Sequence, residues 1–161
     1  GVSATLKLPA TAFFGVAVKP KQNLELEADY QYIGWSSYDQ LVIDFAANGS
    51  QTISNKNYNN TYIMRIGGEY KTGPFALRAG FYFDHTPVKD EYVEPLLPDA
   101  DRNGYNVGFG YKLTDNLTFD VSYLFIKFKD RTVTNSVPEV GLNGVYHTYV
   151  DLYGFNIGYT F

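Results

Sequence analysis

The sequence predicts an all-β fold: an antiparallel transmembrane β-barrel, about seven strands of which lie in this chain. Three observations predict it. Apolar residues recur at every second position in long segments, and the last segment ends on the aromatic Phe161. The connections between segments alternate between tight turns and long polar loops. Aromatic residues are abundant, with 15 Tyr and 12 Phe against one Trp and one Met, while mean hydropathy is only -0.23. A barrel hides its apolar half by alternation, so its average hydropathy stays near soluble values. No stretch approaches the ~20 consecutive apolar residues of a spanning helix.

The alternation is read in seven segments, 8–19, 23–37, 60–71, 75–86, 104–113, 117–130 and 146–161. In the first, Ala12, Phe14, Val16 and Val18 share a face. In the second, Leu24, Leu26, Ala28, Tyr30 and Tyr32 oppose Glu25, Glu27, Asp29 and Gln31. The third sets Tyr62, Met64, Ile66 and Tyr70 against Arg65 and Glu69, and the fourth sets Phe75, Leu77, Ala79, Phe81 and Phe83 against Arg78 and Asp84. In the fifth, Tyr105, Val107, Phe109 and Tyr111 oppose Asn106, Gly108, Gly110 and Lys112. In the sixth, Leu117, Phe119, Val121, Tyr123 and Phe125 oppose Thr118, Asp120 and Ser122. The seventh puts Tyr153, Phe155, Ile157, Tyr159 and Phe161 opposite Gly154, Asn156, Gly158 and Thr160.

Tight turns at Lys19–Asn23, Lys71–Pro74 and Thr114–Asn116 carry Pro, Gly, Asn or Asp. The stretches 46–59, 87–103 and 131–145 are long and polar. Short turns on one rim and long loops on the other are expected of an outer-membrane barrel, whereas a soluble sandwich has no reason to sort its loops. Aromatic residues sort by height as well. Tyr70, Phe75, Tyr111, Tyr159 and Phe161 lie near the short-turn rim, and Tyr32, Tyr62, Phe83, Tyr105, Phe125 and Tyr153 near the other. Three registers follow from the turns: Val18 with Leu24, Tyr70 with Phe75, and Leu113 with Leu117. They place Glu27 opposite Gly15, Arg65 opposite Gly80, Arg78 opposite Gly67 and Asp120 opposite Gly110, so each long charged side chain meets a glycine.

Composition removes other classes. The chain has no cysteine, which excludes a disulfide scaffold, a Cys-ligated zinc site and thiol catalysis. A net charge of -4 without a basic block gives no support for nucleic-acid binding. An odd strand count is unusual for a single-chain bacterial barrel, and open sheet edges are costly in lipid. The expectation is therefore that residues 1–161 form the C-terminal part of one barrel domain, closed by strands of the full-length protein or of a second chain. Gly1–Lys7 is too short to span.

Leu8-Pro9 followed by Phe14-Gly15-Val16-Ala17-Val18, Asp29-Tyr30 and Trp35-Ser36 resembles the FadL/TodX-type outer-membrane transporters of long-chain fatty acids and hydrocarbons. Leu97-Pro98-Asp99-Ala100-Asp101-Arg102 with Gly108, Gly110 and Tyr111, and the closing Gly154 and Gly158-Tyr159-Thr160-Phe161, resemble the same family. The resemblance implies a monomeric barrel of about fourteen strands, of which this chain is the C-terminal half, plugged by an N-terminal hatch. It implies hydrophobic substrate entering from outside and leaving through a gap in the wall. The hatch, the first strands and the strand with that gap correspond to nothing in this chain.

On that reading the chain sits in the bacterial outer membrane, against lipid and lipopolysaccharide. It lines a passive route for hydrophobic small molecules, with no cofactor, no metal and no catalytic residue. The alternative is a structural or adhesive barrel whose long loops bind a partner. Ile33, Trp35, Leu124, Ile126, Phe128, Val150 and Leu152 are expected to form an apolar upper lumen wall that holds ligand or packs against a plug. Glu25, Glu27, Asp29, Arg65, Glu69, Arg78, Lys112 and Asp120 are expected to form a lower charge network that stiffens the wall. Asp99-x-Asp101-x-Asn103-Gly104 matches half of a calcium loop, but Gly110 stands where the bidentate Glu belongs, so pairing of the acids with Arg102 is expected instead. His85 and His147 are expected in exposed loops near the outer rim.

Overall fold

The computed structural model describes residues 1–95, 97–138 and 140–161. Among these, twelve strands follow in order: β1 (Val2–Thr5), β2 (Thr11–Lys21), β3 (Leu24–Ile33), β4 (Gln40–Phe45), β5 (Ser50–Asn55), β6 (Thr61–Thr72), β7 (Phe75–Asp84), β8 (Arg102–Lys112), β9 (Leu117–Phe128), β10 (Arg131–Val133), β11 (Gly144–Tyr146) and β12 (Tyr149–Tyr159). Seven of them form one antiparallel sheet in the order β12-β9-β8-β7-β6-β3-β2. These strands are 10 to 12 residues long. At ~3.3 Å per residue and a tilt of ~45°, each crosses an apolar band of about 25 Å.

The seven expected segments are the seven long strands, with ends moved by one to several residues. The largest change is at 23–37, where the strand stops at Ile33 and residues Trp35–Ser37 form one 3-10 turn. The sequence reading missed the other five strands. β1, β4 and β5 make a separate three-stranded sheet, and β10 pairs with β11. All belong to the long-loop rim, between or before the spanning strands.

Two of the three expected registers shift by two residues. The β6–β7 hairpin closes on Gly73 and Pro74, with Thr72 opposite Phe75, so Tyr70 faces Leu77. Gly73 takes φ +56°, which lets the chain turn in two residues. Gly67 then lies opposite Gly80, while Arg78 faces Glu69 on one side and Gly108 on the other. In the β2–β3 hairpin the pairing is irregular between Val18 and Lys21, around Pro20, which has no N–H to give the ladder. Val18 therefore faces Leu26, and Asp29 rather than Glu27 faces Gly15. Asp120 faces Gly110 as expected. A shift of two preserves the side-chain faces, so the apolar rows still coincide.

The apolar face meets no protein. Phe155 is 71% and Tyr153 81% exposed, as lipid-facing side chains of a barrel wall must be. Its aromatic residues pair across strands near both rims, including Phe75 with Tyr111 at 5.2 Å and Tyr62 with Phe83 at 6.0 Å. The small hydrophobic core lies instead in the outer loops, where Val88, Val93 and Val133 pack with Tyr58, Tyr92 and Tyr146. Arg131 links this layer, donating to Asp90 Oδ1 at 2.8 Å and to the carbonyls of Asp99 and Val88. Lys56 pairs with Glu94, and Asn57 donates to the Tyr92 hydroxyl at 2.6 Å.

Candidate functional site

The polar face is where chemistry can be built, because alternation carries every inward side chain of the seven strands onto it. At its short-turn end a chain of ion pairs crosses four strands. Lys71 Nζ lies 2.8 Å from Glu69 Oε1. Arg78 Nε donates to Glu69 Oε2 at 2.6 Å, and its Nη1 donates to Asp120 Oδ1 at 2.7 Å. Glycine makes the bridge sterically feasible. A Cβ on Gly110 would lie 2.6 Å from Asp120 Oδ1 and 3.1 Å from Arg78 Nη1. Removing the guanidinium leaves Asp120 without an ion-pair partner among the described residues and Glu69 with Lys71 alone, on a partly solvated face. Arg78→Ala is expected to destabilise the assembled barrel by about 1–2 kcal/mol, discounted from buried-pair values for that solvation. Urea unfolding of the full-length protein in lipid vesicles measures it.

The remaining expected charges are arranged differently. Glu25 pairs with Lys19 at 3.1 Å. Glu27 and Asp29 have no ion-pair partner among the described residues, and the Asp29 carboxylate lies across Gly15. Lys112 does not join the ladder; it bonds Asp115 in the adjacent turn at 2.8 Å, which draws it to the rim. The hydrogen bond from Lys112 holds the Asp115 carboxyl below its usual range. A cavity of about 480 Å³ runs beside Glu25, Glu27, Asp29, Arg65, Glu69 and Arg78.

Nearer the long loops, Leu124, Ile126 and Phe128 follow one another on the inward side of β9. Val150 pairs with Ile126 and Leu152 with Leu124, so β9 and β12 together carry one apolar strip. Ile33 lies on β3, several strands away. Trp35 leaves the wall altogether: it sits in the 3-10 turn with its ring 6.2 Å from Tyr38 and 6.0 Å from Tyr58. Gly34 and the turn end the strand before Trp35 can take an inward position.

Between these points Asp84 and Phe128 take the inward positions the alternation expects, and they are joined by Ile63, Tyr82 and Arg102, which sequence reasoning did not assign to the site. Ile63 pairs with Asp84, Asp84 with Arg102, and Arg102 with Phe128, forming a single row across four strands. Arg102 Nε donates to Asp84 Oδ2 at 2.9 Å and its Nη1 to Asp99 Oδ1 at 3.2 Å. Its guanidinium carbon lies 5.4 Å from the centroid of the Phe128 ring. Tyr82 lies over Gly104. Ile63, Arg65, Tyr82, Asp84, Arg102, Ile126 and Phe128 line a second cavity of about 350 Å³. Parity from Arg65 and Arg78 would have found Ile63 and Tyr82 as well.

The loop acids are held by protein groups. Asp101 Oδ1 lies 2.7 Å from His85 Nδ1 and accepts from the Thr86 N–H at 3.0 Å, while Asp99 takes Thr86 and Arg102. His85 also stacks on Tyr62 at 5.4 Å, and His147 pairs with Asp130 at 2.9 Å. Burial, then the Glu94 carboxylate, pushes the Tyr58 phenol up, keeping it neutral in the loop core.

Comparison with known proteins agrees with this geometry. Residues 2–161 match the family model described as outer membrane protein transport protein (OMPP1/FadL/TodX). Outer membrane protein P1 of Haemophilus influenzae is 27% identical over 148 residues, covering 86% of this chain and 32% of that protein. The crystal structure of a Pseudomonas aeruginosa FadL homologue superimposes with a TM-score of 0.87 at 27% identity, covering 98% of this chain and 37% of that one. The P. putida toluene transporter TodX, at 15% identity and a TM-score of 0.70, shares the fold over 99% of this chain and 36% of its own. The chain thus spans about a third of the length of these relatives. A seven-stranded antiparallel wall, apolar on one face and charged on the other, is what half of such a barrel consists of, and the relatives' names place it in the bacterial outer membrane. The chain belongs to the outer membrane protein transport family of the OMPP1/FadL/TodX type.

Proposed function

We propose that the full-length protein carries hydrophobic small molecules, long-chain fatty acids or hydrocarbons, passively through the lumen of a barrel of which this chain is one part. The observation that carries the reading is the continuous apolar strip of Leu124, Ile126, Phe128, Val150 and Leu152 on the inward face that carries Glu69, Arg78 and Asp120 lower down. An apolar wall inside a water-accessible lumen costs free energy unless something apolar covers it. The names of similar solved proteins, a FadL homologue and a toluene transporter, support the same substrate class. The remaining polypeptide pairs with the outer edges of β2 and β12, the two end strands of the sheet. Those edges would otherwise leave backbone groups unsatisfied in lipid, at several kcal/mol each.

Replacing Leu124, Ile126 and Phe128 together with Asp is expected to abolish uptake of hydrophobic substrate while the barrel still assembles. Uptake of labelled fatty acid and of toluene by cells expressing the full-length variant checks the first part. Heat-modifiable migration on gels checks the second. Unchanged uptake in an assembled barrel would sink the proposal.

A further inference from the structure

We propose that Lys127 and Lys129, on the outward face at the long-loop rim, hold a phosphate of the glycolipid that forms the outer leaflet of the outer membrane. The proposal goes beyond the lumen reading above and does not depend on it. Alternation sets Lys127 on the same side of β9 as Phe125, away from Ile126. Its cross-strand neighbours are Asn103 on β8 and Tyr149 on β12. The ladder runs on past the strand, where the Lys129 N–H donates to the Asp101 carbonyl at 2.7 Å. Lys129 therefore repeats the position of Lys127 about 7 Å further toward the loops. Both side chains are exposed.

Their height matches a lipid head group. One step below, Phe125 stacks with Tyr105 at 6.5 Å, in the kind of aromatic girdle that marks a membrane interface. Long loops lie on the external side of such barrels, so the two ammonium groups stand at the outer leaflet's surface.

Their charge is not taken up by the protein. Lys19, Lys56, Lys71 and Lys112 each pair with a carboxylate. Lys127 and Lys129 have none in ion-pairing range among the described residues, although three acids lie close by. Those acids are engaged elsewhere. Asp101 lies 2.7 Å from His85 Nδ1, Asp130 lies 2.9 Å from His147 Nδ1, and Asp151 accepts from the Tyr123 hydroxyl at 2.5 Å. These contacts offset part of the repulsion that an arriving phosphate meets, and leave two ammonium groups to bind its oxygens.

The surroundings select the rest of the molecule. A cavity of about 440 Å³ beside Lys127 is bordered by Phe125 and Tyr149, against which an acyl chain can pack. A cavity of about 260 Å³ beside Lys129 is bordered by His85, Thr86 and Thr132, whose polar atoms suit sugar hydroxyls. Sugar, phosphate and acyl chain in that order describe a phosphorylated glycolipid better than a glycerophospholipid.

The test counts lipid bound to purified full-length protein in detergent by native mass spectrometry. The probes are bisphosphorylated lipid A and the same lipid stripped of both phosphates. Lys127→Gln combined with Lys129→Gln is expected to weaken lipid A binding about tenfold or more. Lys127→Arg combined with Lys129→Arg keeps both charges and is expected to retain it. Lys21→Gln, at an exposed lysine of the short-turn rim, is expected to change nothing. Heat-modifiable migration on gels shows that each variant has assembled. The stripped lipid should bind the natural protein no better than lipid A binds the double Gln variant. Equal lipid A binding by the natural protein and the double Gln variant would overturn the assignment. So would equal binding of the two lipids by the natural protein, or a loss in Lys21→Gln as large as that in the double variant.

Discussion

Val107→Arg is expected to destabilise the assembled barrel by about 2–4 kcal/mol, the cost of a cation at the lipid midplane of an outer-membrane wall. Val107 lies at the middle of β8, between Ala79 on β7 and Tyr123 on β9, and is 56% exposed. Its row neighbours Tyr105 and Phe109 are apolar and exposed as well. On this face Asp151 already accepts from the Tyr123 hydroxyl at 2.5 Å, so the guanidinium must compete for that carboxylate, thin the bilayer or snorkel to find a partner. The adjacent inward position gives the control. Asn106 faces Gly80 on the polar side, so Asn106→Ser is expected to change stability by well under 1 kcal/mol. Urea unfolding of the full-length protein in vesicles separates the two. Equal, small effects at both positions would mean that the odd-numbered row of β8 does not face lipid.

Gly104→Val is the second large effect. The Tyr82 ring occupies the space in which a side chain at Gly104 would stand, so that even a Cβ there would overlap the ring. Valine forces Tyr82 off its rotamer or pushes β7 from β8, and over-packing of this kind costs about 1–3 kcal/mol. The expected partner test is reciprocal: Tyr82→Ala in the Gly104→Val background should recover most of the loss. The same unfolding measurement gives the coupling. An additive double variant would show that the ring-over-glycine contact contributes nothing.

That contact also shows what alternation can and cannot reveal. Face assignment survives error, because a slip of two residues returns every side chain to the same side. The expected pairing of Tyr70 with Phe75 was off by two, yet Arg78 and Glu69 stayed on the polar face with the apolar rows intact. The pairing of large with small also persisted, on different residues: Asp29 with Gly15, Arg78 with Gly108, Tyr82 with Gly104 and Ser122 with Gly154. Absolute register was not legible in the first two hairpins, since it depends on whether a turn uses two residues or four, and on the irregularity at Pro20, whereas the β8–β9 register is as expected.

The outer layer was less legible for a different reason. Leu41, Val42, Ile43 and Phe45 form a strand, but β4 pairs with β1 and β5 in a small sheet, so no long alternation marks it. Val88, Val93 and Val133 are isolated in sequence and come together only through the loops' folding. The candidate site was read in part. The strip on β9 and β12 follows directly from parity, and the Glu69–Arg78–Asp120 ladder uses expected residues. Trp35 was misplaced because a strand's end is set by Gly34 and the turn after it, not by the periodicity before it. Arg102 was read as a loop residue, yet it begins β8 and faces Phe128 and Asp84.

The measurement that tests the central claim most directly is a cysteine scan of β9 in the full-length protein in intact outer membranes. The chain has no cysteine of its own, so each introduced thiol in it is unique. Positions 118 to 126 are labelled one at a time with a water-soluble maleimide. A strict period of two is expected, with reaction at Thr118, Asp120, Ser122, Leu124 and Ile126 and protection at Phe119, Val121, Tyr123 and Phe125. Added fatty acid should protect Leu124 and Ile126 and leave Thr118 and Asp120 reactive. Reaction in the opposite phase, or protection by fatty acid nowhere along the strand, would contradict it.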